Sequence, residues 1–176
     1  QPLGYSHAIS LVDVHGVPGI EIAWNQIINE PYQSGVGDSI GIFQSSGTPA
    51  SPMQVHDNYI QGEFEADPAR TNEFSYFSSA FTTDGLSQTD PTLATSFLKI
   101  HHNQAVNFGN VGIAISIGHD NEMYANRAVS SGQLPDGNLG RSVRPGRRGW
   151  GISRPLSQTW DGPRPCRWGE AAILAG

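Results

Sequence analysis

Four stretches of the chain alternate apolar and polar residues, then place an asparagine three positions after the last apolar one. They are GIEIAWNQII (19–28), PMQVHDNYIQ (52–61), FLKIHHNQAV (97–106) and NEMYANRAV (121–129). Aligned on Asn25, Asn58, Asn103 and Asn126, one column holds Ile22, Val55, Ile100 and Met123. Two positions earlier stand Ile20, Met53, Leu98 and, out of pattern, Asn121; between the two columns lie Glu21, Gln54, Lys99 and Glu122. A strand sends successive side chains to opposite faces, so this spacing predicts strands with one buried and one wet face. Recurrence of the unit with connections of varying length predicts a solenoid.

A second strand is expected before most units: AISLVDV (8–14), DSIGIFQ (38–44) and VGIAISIG (111–118), with SSAFTTDG (78–85) a poorer match. HGVPG (15–19) and GHDN (118–121) supply turns between them. Asparagine at a fixed point suits a sharp bend, because it tolerates left-handed backbone and its amide bonds to nearby main chain. Stacked on successive coils, such asparagines would also bond to one another in a ladder. Apolar residues fall at period two, and Gly and Pro interrupt the longer stretches, so helices are not expected. A β-sandwich of short alternating strands is the competing architecture.

With its repeats and phrases such as VHDNYIQG and HDNEMYANRAV, the chain resembles the right-handed parallel β-helix superfamily, the pectate-lyase-like solenoids, over residues 8–132. The resemblance implies an all-β fold: a short right-handed parallel β-helix of about four coils. It also implies a carbohydrate-related function. The catalytic motifs of those lyases are not matched residue by residue, so no role is carried over from them.

Composition divides the chain near Leu139. Residues 139–176 carry seven arginines against two acids, a net +5, whereas residues 1–138 carry three cations against fourteen acids, a net −11. Trp150, Trp160, Trp168 and the single Cys166 also lie in the tail. The expected organisation is a β-helix domain over 1–138 and a basic tail over 139–176. The tail is read as a cap over the last coil, a basic arm for a polyanion, or an out-of-frame extension. It offers neither an alternating strand pattern nor the asparagine repeat.

A solenoid this short exposes strand edges at its ends unless a cap or a partner covers them. Assembly with copies of itself, or coils missing from the given chain, is therefore expected. No apolar run is long enough to span a bilayer, and no signal peptide opens the chain. The start at QPLG reads as a processed chain or a fragment. Low charge and the resemblance favour an extracellular or periplasmic setting. The acidic body disfavours nucleic acid as a partner.

Three sets of residues carry candidate chemistry. His119 with Asp120 and Asp84 is the catalytic set: a base held in one tautomer by a carboxylate suits a lyase or epimerase, and paired carboxylates suit a hydrolase. The scarcity of cations before the tail counts against acidic sugar polymers. HDN at 119–121 reads equally as a turn. Phe74 and Tyr76, in the acidic and aromatic insertion 61–79, and Tyr32, in NEPYQSGVGD (29–38), are the substrate-binding candidates for a polysaccharide or glycan, or else pack those loops. His56 and His101 fall in one outward column, where coil spacing of about 4.8 Å would set the rings side by side. No cofactor is required, but the pair would suit a divalent metal, with His102 adjacent. The alternative to an enzyme is a non-catalytic solenoid that binds glycans or self-assembles, or a fragment that retains only the fold.

Overall fold

The computed structural model describes residues 6–30, 33–34, 36–63, 79–84, 91–108, 111–115, 118–131, 158–159, 164–166 and 172–174. They form three sheets, each with four parallel strands. The first sheet is built from β1 (Ser6–Val12), β4 (Val36–Phe43), β7 (Ser79–Asp84) and β10 (Ile113–Ile115). The second contains β2 (Glu21–Ala23), β5 (Met53–His56), β8 (Leu98–His101) and β11 (Asn121–Tyr124). The third contains β3 (Gln26–Ile28), β6 (Tyr59–Glu63), β9 (Gln104–Phe108) and β12 (Arg127–Val129). The chain visits the sheets in rotation, so neighbours within a sheet are one full circuit apart. This is a parallel β-solenoid. The only helical turn among the described residues is the 3-10 turn Pro91–Leu93.

Register converts the sequence columns into stacks. Ile22, Val55, Ile100 and Met123 are successive partners across the second sheet. Ile27, Ile60, Ala105 and Ala128 stack across the third, and Ile9, Ile40, Phe81 and Ile113 across the first. Most of these side chains are buried, and together they make one core. Full burial of a residue such as Ile100 is worth about 1.5–3 kcal/mol.

Where the sequence leads one to expect at least two strands per circuit, each circuit uses three, because the residues after each asparagine pair as strands of their own. One feature differs from expectation: the left-handed bend falls one residue earlier. Trp24, Asp57, His102 and Ala125 have φ of 61°, 52°, 55° and 51°, and the asparagine follows the bend.

Freed from the bend, the asparagine carboxamide points inward and stitches the circuits together. Asn25 Nδ2 donates to Asn58 Oδ1 (2.9 Å), Asn58 Nδ2 to Asn103 Oδ1 (2.9 Å), and Asn103 Nδ2 to Asn126 Oδ1 (3.0 Å). The ladder supplies partners that buried main-chain groups at the corner require. Asn121, the exception in its apolar column, is fully buried yet satisfied. Its Oδ1 accepts from Leu98 N (3.1 Å), and its Nδ2 donates to Thr95 O (3.0 Å).

The tail contributes β13 (Gln158–Thr159), β14 (Arg164–Cys166) and β15 (Ala172–Leu174). They pair antiparallel with β12, β11 and β10, so each sheet gains a strand at its last edge. A strand edge offers main-chain donors and acceptors whatever the side chains, so edge pairing needs no apolar alternation in its partner.

Candidate functional site

At the corner between the first and second sheets, isolated bridges stack His15, Ser46, Ser96 and His119. The next residues in the two later circuits, Phe97 and Asp120, take left-handed φ of 52° and 53°. This turns them toward the outer face, where Lys99 and Glu122, the second residues of β8 and β11, are register partners. Phe97, Lys99, Asp120 and Glu122 thus line an open cleft of about 220 Å3, completed by Pro49 and Pro52. Lys99 Nζ lies 3.4 Å from Glu122 Oε2. His119 Nδ1 donates to Asp120 Oδ2 at 2.7 Å, and its ring meets Phe97 edge-on at 5.9 Å. That bond fixes the ring's orientation and leaves Nε2 as the nitrogen able to exchange a proton.

Of the catalytic candidates, Asp120 lines this cleft, and His119 adjoins it through its bond to Asp120 and its contact with Phe97. Asp84 ends β7 opposite Phe43, and its side chain lies outside the described residues. So do Phe74, Tyr76 and Tyr32. The cleft adds Phe97, Lys99 and Glu122, which the sequence reading did not group with His119. The signal was present: Lys99 and Glu122 occupy the same outward column, and parallel in-register stacking makes such residues neighbours.

His56 and His101 are register partners in the second sheet. Their rings stack with centroids 4.8 Å apart and planes within 5°, and Tyr124 continues the stack at 4.9 Å from His101. His56 bonds Glu21 Oε1 through Nε2 and Asp57 Oδ2 through Nδ1, each at 2.8 Å. His101 reaches Gln54 Oε1 through Nε2 (3.2 Å) and His102 Nδ1 through Nδ1 (2.9 Å). Desolvation, then the charges of His56 and His102, lower the His101 pKa from its usual range, partly opposed by Asp57. Trp24, at the equivalent corner of the first circuit, is 76% exposed and meets His56 edge-on.

Inside the solenoid, where the third sheet approaches the first, Glu63 is buried. Its Oε2 accepts from Asn29 Nδ2 (2.6 Å) and from the Ser39 hydroxyl, while Oε1 has no partner among the described residues. Burial pushes its pKa up to about 8, Ser39 opposes the shift, and the nearby Asp38 carboxylate adds to it. Glu63 therefore stays protonated near neutrality. No sequence motif announced this group, because its partners come from elements 24 and 34 residues away.

Searches among family models, curated proteins and solved structures yield no match to this chain.

Proposed function

We propose that the chain is a right-handed parallel β-helix of pectate-lyase-like type that acts on a polysaccharide at the cleft over Phe97. The observation that carries this reading is the open cleft lined by Phe97, Asp120 and Glu122, with His119 bonded to Asp120. An aromatic side chain with polar groups around it suits a sugar ring, whose faces are apolar and whose rim carries hydroxyls. The volume of about 220 Å3 suits one sugar unit of a longer chain, with the open ends leaving room for its neighbours.

Charge selects among the reactions. Removing the proton α to a uronate carboxylate calls for cations to neutralise that carboxylate. Here Asp120 and Glu122 outnumber Lys99, and Lys99 is already paired with Glu122. A neutral glycan meets no such repulsion, and two carboxylates beside the bond to be cut supply the acid and base of hydrolysis. We therefore place hydrolysis of a neutral polysaccharide ahead of lyase or epimerase chemistry. Asp120 and Glu122 serve as the proton-exchanging groups, and His119 positions Asp120 through its 2.7 Å bond. The Arg-rich tail acts in this reading as an end cap. The setting is extracellular or periplasmic, where such polymers occur.

The test is release of reducing ends from a panel of neutral polysaccharides by the full chain, compared with Glu122→Gln and His119→Ala. The expected result is turnover that falls at least a hundredfold in both variants, with the β-sheet circular dichroism unchanged. Turnover that survives both substitutions would refute the assignment, as would unsaturated uronate products in place of new reducing ends.

A second reading, non-catalytic glycan binding, draws on Trp24, a large and well exposed aromatic side chain. It expects polymer retention on affinity gels to be lost in Trp24→Ala, with no turnover in the parent chain.

A further inference from the structure

Among the described residues, the large apolar side chains that stand well exposed are Val12, Val17, Trp24 and Ile28, all in the first circuit, and Leu93. The inward columns lose their seal in that circuit too. Ile9, Leu11 and Ile27 are only partly buried, whereas their register partners Ile40, Ile42 and Ile60 are closed off one circuit later. Position explains this: β1, β2 and β3 are the outermost strands of their sheets, with no further strand over them among the described residues. Main-chain groups and apolar core are thus uncovered together. We propose that this open end binds a second copy of the chain head to tail, the first-circuit edge of one copy seating on the tail-bearing edge of the next.

The strand arrangement supplies one argument. The opposite end is finished by β15, β14 and β13, the outermost strands of the same three sheets. Each end therefore offers three strand edges, one per sheet, and a neighbour stacked along the solenoid axis meets all three at once. β15 runs antiparallel to the solenoid strands, so it pairs antiparallel with β1 of the next copy at the usual spacing of about 4.8 Å. The first sheet carries most of this contact, because β1 is seven residues long. Pro165 lacks an N–H, so β14 adds less. Asp13 N donates to Phe43 O (3.2 Å), and strand alternation therefore turns the main-chain groups of Val12 and Ser10 away from β4, toward the open edge.

Charge selects the orientation. Asp13, Glu21 and Glu30 are exposed in and beside the first circuit, and residues 1–69 hold eight acids with no lysine or arginine. The segment 139–176, which supplies β13, β14 and β15, has seven arginines against two acids. Head-to-head pairing about a two-fold axis would bring the acids of two first circuits together, whereas head-to-tail stacking sets an acidic end against a basic one. Such a contact does not close. Each copy added leaves a new open end, so assembly grows with concentration and has no fixed stoichiometry.

The test is sedimentation velocity of the full chain over a wide concentration range, in about 0.05 M and about 0.5 M salt. The expected result is an average mass that rises past the dimer, with association at least severalfold weaker at the higher salt. Ser10→Pro removes an outward N–H while keeping the β1–β4 bonds, and should weaken association at least tenfold. Glu21→Gln combined with Glu30→Gln should weaken it about threefold or more. The paired variant alters only exposed carboxylates, so it carries the test should Ser10→Pro lose its β-sheet circular dichroism. A monomer at every concentration would overturn the proposal. So would a mass that stops at the dimer and gains strength in the paired glutamine variant, the mark of head-to-head pairing. Association unchanged in the paired variant and insensitive to salt would overturn it as well.

Discussion

Replacing Asn103 by alanine tests whether the asparagine ladder holds the circuits together. Asn103 is 3% exposed. Its Oδ1 accepts from Asn58 N (3.1 Å) and Asn58 Nδ2 (2.9 Å), and its Nδ2 donates to Val55 O (2.9 Å) and Asn126 Oδ1 (3.0 Å). Some of these partners keep other bonds after truncation. Asn126 Oδ1 still receives Asn103 N (2.9 Å), and Asn58 Nδ2 still reaches Ile22 O (2.9 Å). Val55 C=O keeps its ladder bond to β8, so the loss is concentrated on one main-chain group, Asn58 N–H, at a corner closed to water. A buried polar group that loses its partner costs about 1–3 kcal/mol, so Asn103→Ala should cost about 1–3 kcal/mol, toward the upper end because the site is sealed. Against a typical total of about 5–15 kcal/mol, that is an appreciable share. Asn25→Ala is the internal control. Asn25 sits in the first circuit, is only partly buried, and donates to Ala23 O (3.1 Å) and Asn58 Oδ1 (2.9 Å). Water can replace those bonds, so its loss should cost about 0.5–1.5 kcal/mol. Urea unfolding followed by circular dichroism measures both. Midpoint shifts of equal size would refute the reasoning, because they would mean that the ladder contributes the same where it is sealed and where it is wet.

Glu63 and Gly62 provide two further tests. The Glu63 pKa rises from 4.5 unfolded to about 8 folded, so the folded state keeps a proton that the unfolded chain has released. Stability present at pH 4.5 and below is then lost as pH rises toward about 8, by up to roughly tenfold in the folding equilibrium per pH unit. Glu63→Gln should flatten that slope in a series of urea midpoints across the same range; equal slopes in parent and variant would contradict it. Gly62 has φ of +78°, and a Cβ there would lie 2.1 Å from Asn29 O. Gly62→Ala should therefore destabilise by several kcal/mol, on the order of other backbone-clash substitutions, and lower the thermal midpoint accordingly. An unchanged midpoint would show that the third-sheet corner yields more readily than its packing implies.

The sequence by itself determined the period-two faces and the columns that become stacks. Ile22, Val55, Ile100 and Met123 were legible as one inward column because alternation along a strand is a local property, set by backbone geometry. Equal spacing between that column and the asparagine then placed Asn25, Asn58, Asn103 and Asn126 in line. SSAFTTDG was harder to read: its polar Thr82 and Thr83 are buried, so the apolar signal fails where β7 forms. The same limit applies to Asn121, whose burial depends on hydrogen bonds to Leu98 and Thr95 supplied by the preceding circuit.

Only tertiary structure decided what depends on distance across circuits. Which residue takes the left-handed bend followed from the need to turn the asparagine inward, and so the bend fell on Trp24, Asp57, His102 and Ala125. The cleft required Phe97 and Asp120 to turn outward beside Lys99 and Glu122, and single-sequence alternation carries no information about that corner. How neighbouring histidines face each other likewise depends on ring planes. His56 and His101 stack, while His101 and His102 meet nearly at right angles. Periodicity fixes which side of a strand a residue occupies. Sites form where turns and circuit stacking set the directions of side chains from separate parts of the chain.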